Sequence, residues 1–144
     1  AAAYFSRTGN TVHYSACLDT LSACTSGVWS SDLVDSTAGV SGLLATNEQV
    51  LRAQLTFTAA GKAVIVYPRG QGSTGHLMMA TEGAAGVFTL DTISSGSNGA
   101  LTGSTAINFG VAGWGVASVR NATGNVTALH VGPGNWLYST SCGD

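Results

Sequence analysis

Three arginines close three similar short runs: Arg7 ends YFSR, Arg69 ends VYPR and Arg120 ends ASVR. A guanidinium is a planar fork of donors that grips a carboxylate or sulfate through two parallel hydrogen bonds. If the runs are equivalent strands, their ends meet at one rim. Arg7, Arg69 and Arg120 then form a candidate anion- or ligand-binding set. Taken singly, each would only cap turn carbonyls or keep a loop in water. A second chemistry belongs to flat rings. Trp29, Trp114 and Trp136, with Tyr67 and Tyr138, offer faces on which sugars stack where exposed, and core packing where buried.

Covalent chemistry has fewer candidates. Cys17 and Cys24 form a C-x6-C pair, which is not a zinc spacing, and Cys142 stands far away. The expectation is a Cys17–Cys24 disulfide, with Cys142 free or bonded to another chain. Asn121-Ala122-Thr123 and Asn125-Val126-Thr127 are sequons four residues apart in the loop-like run RNATGNVT, so Asn121 and Asn125 are candidate glycosylation sites in a secreted chain. His13, His76 and His130 show neither H-x-H nor H-E-x-x-H spacing, so no metal site and no cofactor are expected. No Ser lies in G-x-S-x-G. The loop GQGSTG at 70–75 lacks the lysine of a phosphate-binding loop. Asp32 and Asp35 lack the oxygen density of a calcium loop.

The elements that position these groups follow from composition. Ala, Gly, Ser and Thr fill 73 of the 144 positions, and only 8% are charged. Ordinary soluble domains carry roughly 25% charge. Long surface helices need Lys, Glu, Arg and Gln, which are scarce here. One Lys, four Arg and a net charge of −2 give no footprint for nucleic acid. The chain is 44% hydrophobic, too much for disorder, and has no run long enough to span a membrane as a helix. Gly-rich turns at short intervals separate β-branched and aromatic runs. Strands are expected near 3–7, 11–17, 28–34, 50–58, 62–68, 76–81, 87–93, 104–110, 114–120, 125–131 and 136–141. The fold class is therefore all-β, with antiparallel sheets in a single domain over 1–144.

The runs also resemble one another. VHYSAC (12–17) followed by VWSSDLVDS (28–36) matches HLMMAT (76–81) followed by VFTLDTISS (87–95), with Trp29 and Phe88 aligned 59 residues apart. LTFTAAGKAVIVYPR (55–69) matches INFGVAGWGVASVR (107–120), and WLYSTSC (136–142) echoes VHYSAC. Two to three four-stranded units of about 50–60 residues result, lying roughly at 1–36, 50–95 and 104–144.

This order of strands resembles the tandem repeats of secreted bacterial β-propellers of the sialidase/BNR-like class. The Asp-box S-x-D-x-G-x-T-W of that class is absent. The resemblance implies propeller-like blades, but a propeller closes with four to eight of them. A chain with fewer must assemble with other copies, or pack as a β-sandwich. Sialidase chemistry would further require a Tyr nucleophile with Glu and Asp partners. The available residues are Tyr4, Tyr14, Tyr67 and Tyr138, with Glu48, Glu82, Asp32, Asp35 and Asp91, and no motif joins them.

Low charge leaves little repulsion between copies, and strand edges without Lys or Pro are templates for another strand. The run AAAYF has no charge before Arg7. The expected function is thus a non-catalytic extracellular structural subunit. It would self-associate through terminal β-strands into an oligomer or filament, and be glycosylated. Its partners would be other copies of itself, with no nucleic acid and no membrane span. The alternative is a carbohydrate-binding, lectin-type module using the tryptophans and the three-Arg set. A sialidase-like hydrolase fragment is a third, weaker reading.

Overall fold

A computed structural model describes residues 1–6, 11–17, 24, 28–36, 53–71, 74–95, 114–122, 125–131 and 137–142. Among these residues there are ten strands: β1 (Ala2–Ser6), β2 (Thr11–Ser15), β3 (Asp32–Asp35), β4 (Gln54–Phe57), β5 (Ala63–Gln71), β6 (Thr74–Glu82), β7 (Phe88–Ser95), β8 (Trp114–Arg120), β9 (Val126–Val131) and β10 (Leu137–Cys142). No helix occurs among the described residues. The strands form three antiparallel sheets, β1-β2-β3, β4-β5-β6-β7 and β8-β9-β10, and none of them closes on itself. Each is a meander in which sequence neighbours pair. The strand expected at 104–110 lies outside the described residues.

The chemistry of β5 dictates how the sheets stack. Residues 63–68, AVIVYP, are all buried. A strand with one wet face alternates; one that is apolar throughout must be covered on both faces. Ala63, Ile65 and Tyr67, with Met78 and Ala80 of β6, pack against Val12, Tyr14 and Val34 of the first sheet. On the opposite face Val66 and Leu77 meet Ala128 of β9. The central sheet therefore has the first sheet on one side and the third on the other. Pro68 is tolerated because β4 pairs only with Ala63 to Val66, which leaves that flank of Pro68 without a ladder partner.

Two hairpins carry a register shift at corresponding places. In the first sheet Val12 opposes Asp35 while His13 opposes Leu33, which leaves Val34 as the extra residue. In the central sheet Leu77 opposes Ser94 while Met78 opposes Thr92, which leaves Ile93. Such a bulge places two successive residues toward the same face. Val34 and Asp35 are both buried as a result.

One strand is shorter than its sequence suggests. The run expected from 28 to 34 starts as a single bridge, Cys17 opposite Trp29, and becomes a strand only at Asp32. Ser30 explains the interruption. Its Oγ accepts the Ala16 N–H at 3.2 Å, competing with the ladder, while its own N–H reaches the Ala16 carbonyl at 2.9 Å.

The β6–β7 turn shows how tightly the first two sheets approach. Glu82 accepts the Ala63 N–H at 3.0 Å and the Gly86 N–H at 3.2 Å, so one carboxylate ties β5 to the turn. Gly86 has φ of 73°, and a Cβ there would lie 2.9 Å from Asp32 Oδ1. Gly86→Ala therefore carries both backbone strain and a clash between sheets. It is expected to lower stability by about 1–3 kcal/mol, read as a shift in the urea midpoint, with an unchanged far-ultraviolet spectrum.

Candidate functional site

The bulge in β3 builds a polar site between the first and central sheets. Simple alternation from Asp32 would turn Asp35 outward; the extra Val34 turns it inward instead. Asp35 is 3% exposed. A carboxylate so withdrawn from water must be met by donors. Tyr67 of β5 donates its hydroxyl to Asp35 Oδ2 at 2.8 Å. Arg69, two residues along the same face, places Nε 3.7 Å from the same oxygen. Its side chain is one-third exposed, so the cluster reaches the surface at this end of β5. His76 stands directly across from Arg69 in β6, with Nδ1 buried and unpartnered.

Electrostatics fix what this cluster does. Burial, then the charge of Asp35 and the hydrogen bond to it, push the Tyr67 hydroxyl far above its usual range, against a smaller opposing effect of Arg69. Tyr67 thus remains a proton donor. A nucleophilic tyrosine needs the opposite shift. Tyr14 is also raised, by burial and then by Glu82 and Asp32. Its ring meets Phe88 edge-on at 5.5 Å. Tyr4 moves the other way, lowered by hydrogen bonding from Ser31 and Ser15, and no carboxylate contributes. Asp91 is exposed on β7; Glu48 and the Tyr138 side chain lie outside the described residues.

The arginine set does not converge. Arg120 faces the central sheet, and its Nη1 donates to the Phe57 carbonyl at 3.2 Å. Phe57 pairs with Ala63, at the start of β5, whereas Arg69 sits six residues further on. The two guanidiniums are therefore held at opposite ends of the central sheet, about 20 Å apart along β5. Each completes an intersheet contact. Arg7 lies outside the described residues.

The remaining candidates divide between surface and undescribed regions. The Cys17–Cys24 disulfide is formed, with Cα atoms 5.7 Å apart; Cys142 ends β10. Trp29 is 47% exposed, and its Nε1 donates to the Cys24 carbonyl at 3.3 Å. Trp114 begins β8, its side chain outside the described residues, as is Trp136. Asn121 is exposed in the β8–β9 turn, where its Oδ1 accepts the Asn125 N–H at 3.0 Å. Asn125 is half-buried at the foot of β9. Among the described residues no cluster of three or more His, Cys, Asp or Glu could hold a metal ion. No family model, no curated protein and no solved structure matches this chain.

Sequence reasoning named Asp35, Tyr67 and Arg69 separately, but not as a unit. The signal that joins them is the bulge, which the run SDLVDS does not announce. Tyr67→Phe leaves a buried carboxylate short of a donor and is expected to cost about 1–3 kcal/mol. The pH dependence follows from the raised hydroxyl. In the unfolded chain Tyr67 loses its proton near pH 10.0, while the folded chain retains it. This stabilisation is complete below pH 10 and declines as pH rises beyond it. Urea midpoints measured from pH 8 upward should fall less steeply in Tyr67→Phe than in the natural chain.

Proposed function

We propose that this chain is a non-catalytic extracellular structural subunit that self-associates through strand edges. One observation carries the reading. The first and last strands, β1 and β10, are each the outermost strand of their sheet, and neither contains a charged residue or a proline. Of the other edges, β3 carries Asp32 and Asp35, β7 carries Asp91 and β8 carries Arg120, while β4 (QLTF) carries no charge but has its Phe57 carbonyl taken by Arg120. Edge charges block unwanted strand addition. Three of the six edges thus carry charge, β4 is engaged by Arg120, and β1 and β10 have neither feature among the described residues. An uncharged edge of one copy can accept the uncharged edge of the next, a heterologous contact that gives rings or filaments.

One further feature agrees with an oxidising, extracellular setting. The Cys17–Cys24 disulfide is of the kind that persists there. No helix among the described residues is long and apolar enough to cross a membrane. Asn121, exposed in a hairpin turn, is the better placed of the two sequons. The propeller-type repeat draws support from the succession of meanders and from the matching bulges at Val34 and Ile93. The opposite placement of Arg69 and Arg120 argues against one shared rim.

Lysine on the open edges tests the assembly. Ala2 and Ser139 are both exposed. Ala2→Lys and Ser139→Lys should each weaken self-association at least about tenfold in sedimentation velocity, a change of about 1.4 kcal/mol, without altering the thermal midpoint. A natural chain that stays monomeric throughout the micromolar range rejects the reading. For modification, intact mass of material from its secreting host should drop on glycan removal, and Asn121→Gln should remove most of that difference.

A further inference from the structure

The outer face of the first sheet has a composition that edge association does not use. Alternation along β1–β3 turns Tyr4, His13, Ser15, Ser31, Leu33 and Trp29 away from the central sheet. Tyr4, His13 and Leu33 form one row across the three strands. Trp29 lies opposite Cys17, further along β2. No Asp, Glu, Lys or Arg occupies an outward position of these strands, because Asp32 and Asp35 both turn inward.

The two large rings are exposed and held in place. Tyr4 is 41% exposed, stacks on His13 with centroids 5.5 Å apart and an angle of 13°, and its hydroxyl lies 3.3 Å from Ser31 Oγ. His13 is fixed in turn by a 2.8 Å hydrogen bond between Nε2 and Thr11 Oγ1. Trp29 is held by its bond to the Cys24 carbonyl, within the disulfide-closed segment. Exposed apolar rings cost hydration, and rings already fixed lose little freedom on meeting a ligand. Between them runs a strip of Ser15 and Ser31 hydroxyls, each able to donate and accept.

We infer that this face binds a neutral oligosaccharide. The apolar C–H faces of pyranose rings stack on Tyr4 and Trp29, and the ring hydroxyls pair with Ser15 and Ser31. Absence of charge at the described outward positions selects the ligand class: an uncharged glycan loses no ionic solvation there, whereas a sialylated or sulfated one finds no cation among them to replace its water. Arg69 and Arg120 take no part, since Arg69 faces Asp35 and Arg120 faces Phe57. This site uses outward side chains of β1–β3, whereas edge association uses the backbone of β1 and β10.

Calorimetric titration of the intact chain with cellohexaose, and separately with sialyllactose, tests the inference. Cellohexaose should bind and sialyllactose should not. Tyr4→Ala and Trp29→Ala should each weaken cellohexaose binding at least about tenfold, while Tyr4→Phe and Trp29→Tyr, which keep the rings, lose much less. Thermal midpoints verify that each variant is folded. Reduction of the disulfide should weaken binding by loosening Trp29. The inference is overturned if cellohexaose fails to bind, if sialyllactose binds more tightly, or if the alanine variants bind like the natural chain. It also falls if Leu33→Lys dissolves an oligomer while no variant binds sugar, because the face is then a contact between copies.

Discussion

Strand β5 holds six consecutive residues, 63–68, out of water, and a single sheet cannot do this. Its odd-numbered side chains require one cover and its even-numbered ones another. That requirement recruits β1–β3 to one face and β8–β10 to the other. The small residues of the chain then acquire a structural meaning. Ala63, Ala80 and Ala128 let sheets approach closely, and Gly86 lets a turn lie against Asp32. Fully buried bulk is confined to a few positions, among them Tyr67, Ile65 and Leu77.

A strand buried on both faces also limits where polarity can sit. Tyr67 brings a hydroxyl into the first interface, and an unpaired hydroxyl there would destabilise it. The β3 bulge answers by turning Asp35 inward, and Arg69 supplies compensating charge from the rim. The same arrangement makes the cluster a poor catalytic centre. Its phenol is driven away from ionisation, and its carboxylate is already engaged by two partners. Its physical role is to fix the register of β3 against β2, since displacement by one residue would turn Asp35 to the outer face and leave the buried Tyr67 hydroxyl without its acceptor.

Much of the scaffold was legible in the sequence because strand period and turn chemistry are local. Strands were expected at 11–17 and 62–68, where β2 and β5 lie, with Gly-rich turns between runs, where Gly61 and Gly86 take positive φ. The C-x6-C spacing was enough to pair Cys17 with Cys24. What was not legible depends on relations between sheets. Arg69 and Arg120 end similar runs, yet the third sheet approaches the central one so that Arg120 meets the start of β5. No local pattern encodes that direction. Likewise the inward turn of Asp35 depends on one extra residue in a pairing, and the interruption at Ser30 on one side-chain oxygen.

The scarcity of charge finally bears on what each surface can do. A sheet in a three-layer stack offers two kinds of contact, backbone at its edge and side chains on its outer face. Charged residues lie on the edge strands β3, β7 and β8, and the acids of β3 point inward and leave the outer face of β1–β3 uncharged. Edge and face are therefore separable chemically. The edges of β1 and β10 present hydrogen-bonding groups that only another strand satisfies in full. The Tyr4 and Trp29 face presents rings and hydroxyls, which a strand would cover without satisfying. Under the proposed assembly, contact through the edges would leave this face open, and repetition of the face along the assembly would raise binding of a repeating ligand through avidity.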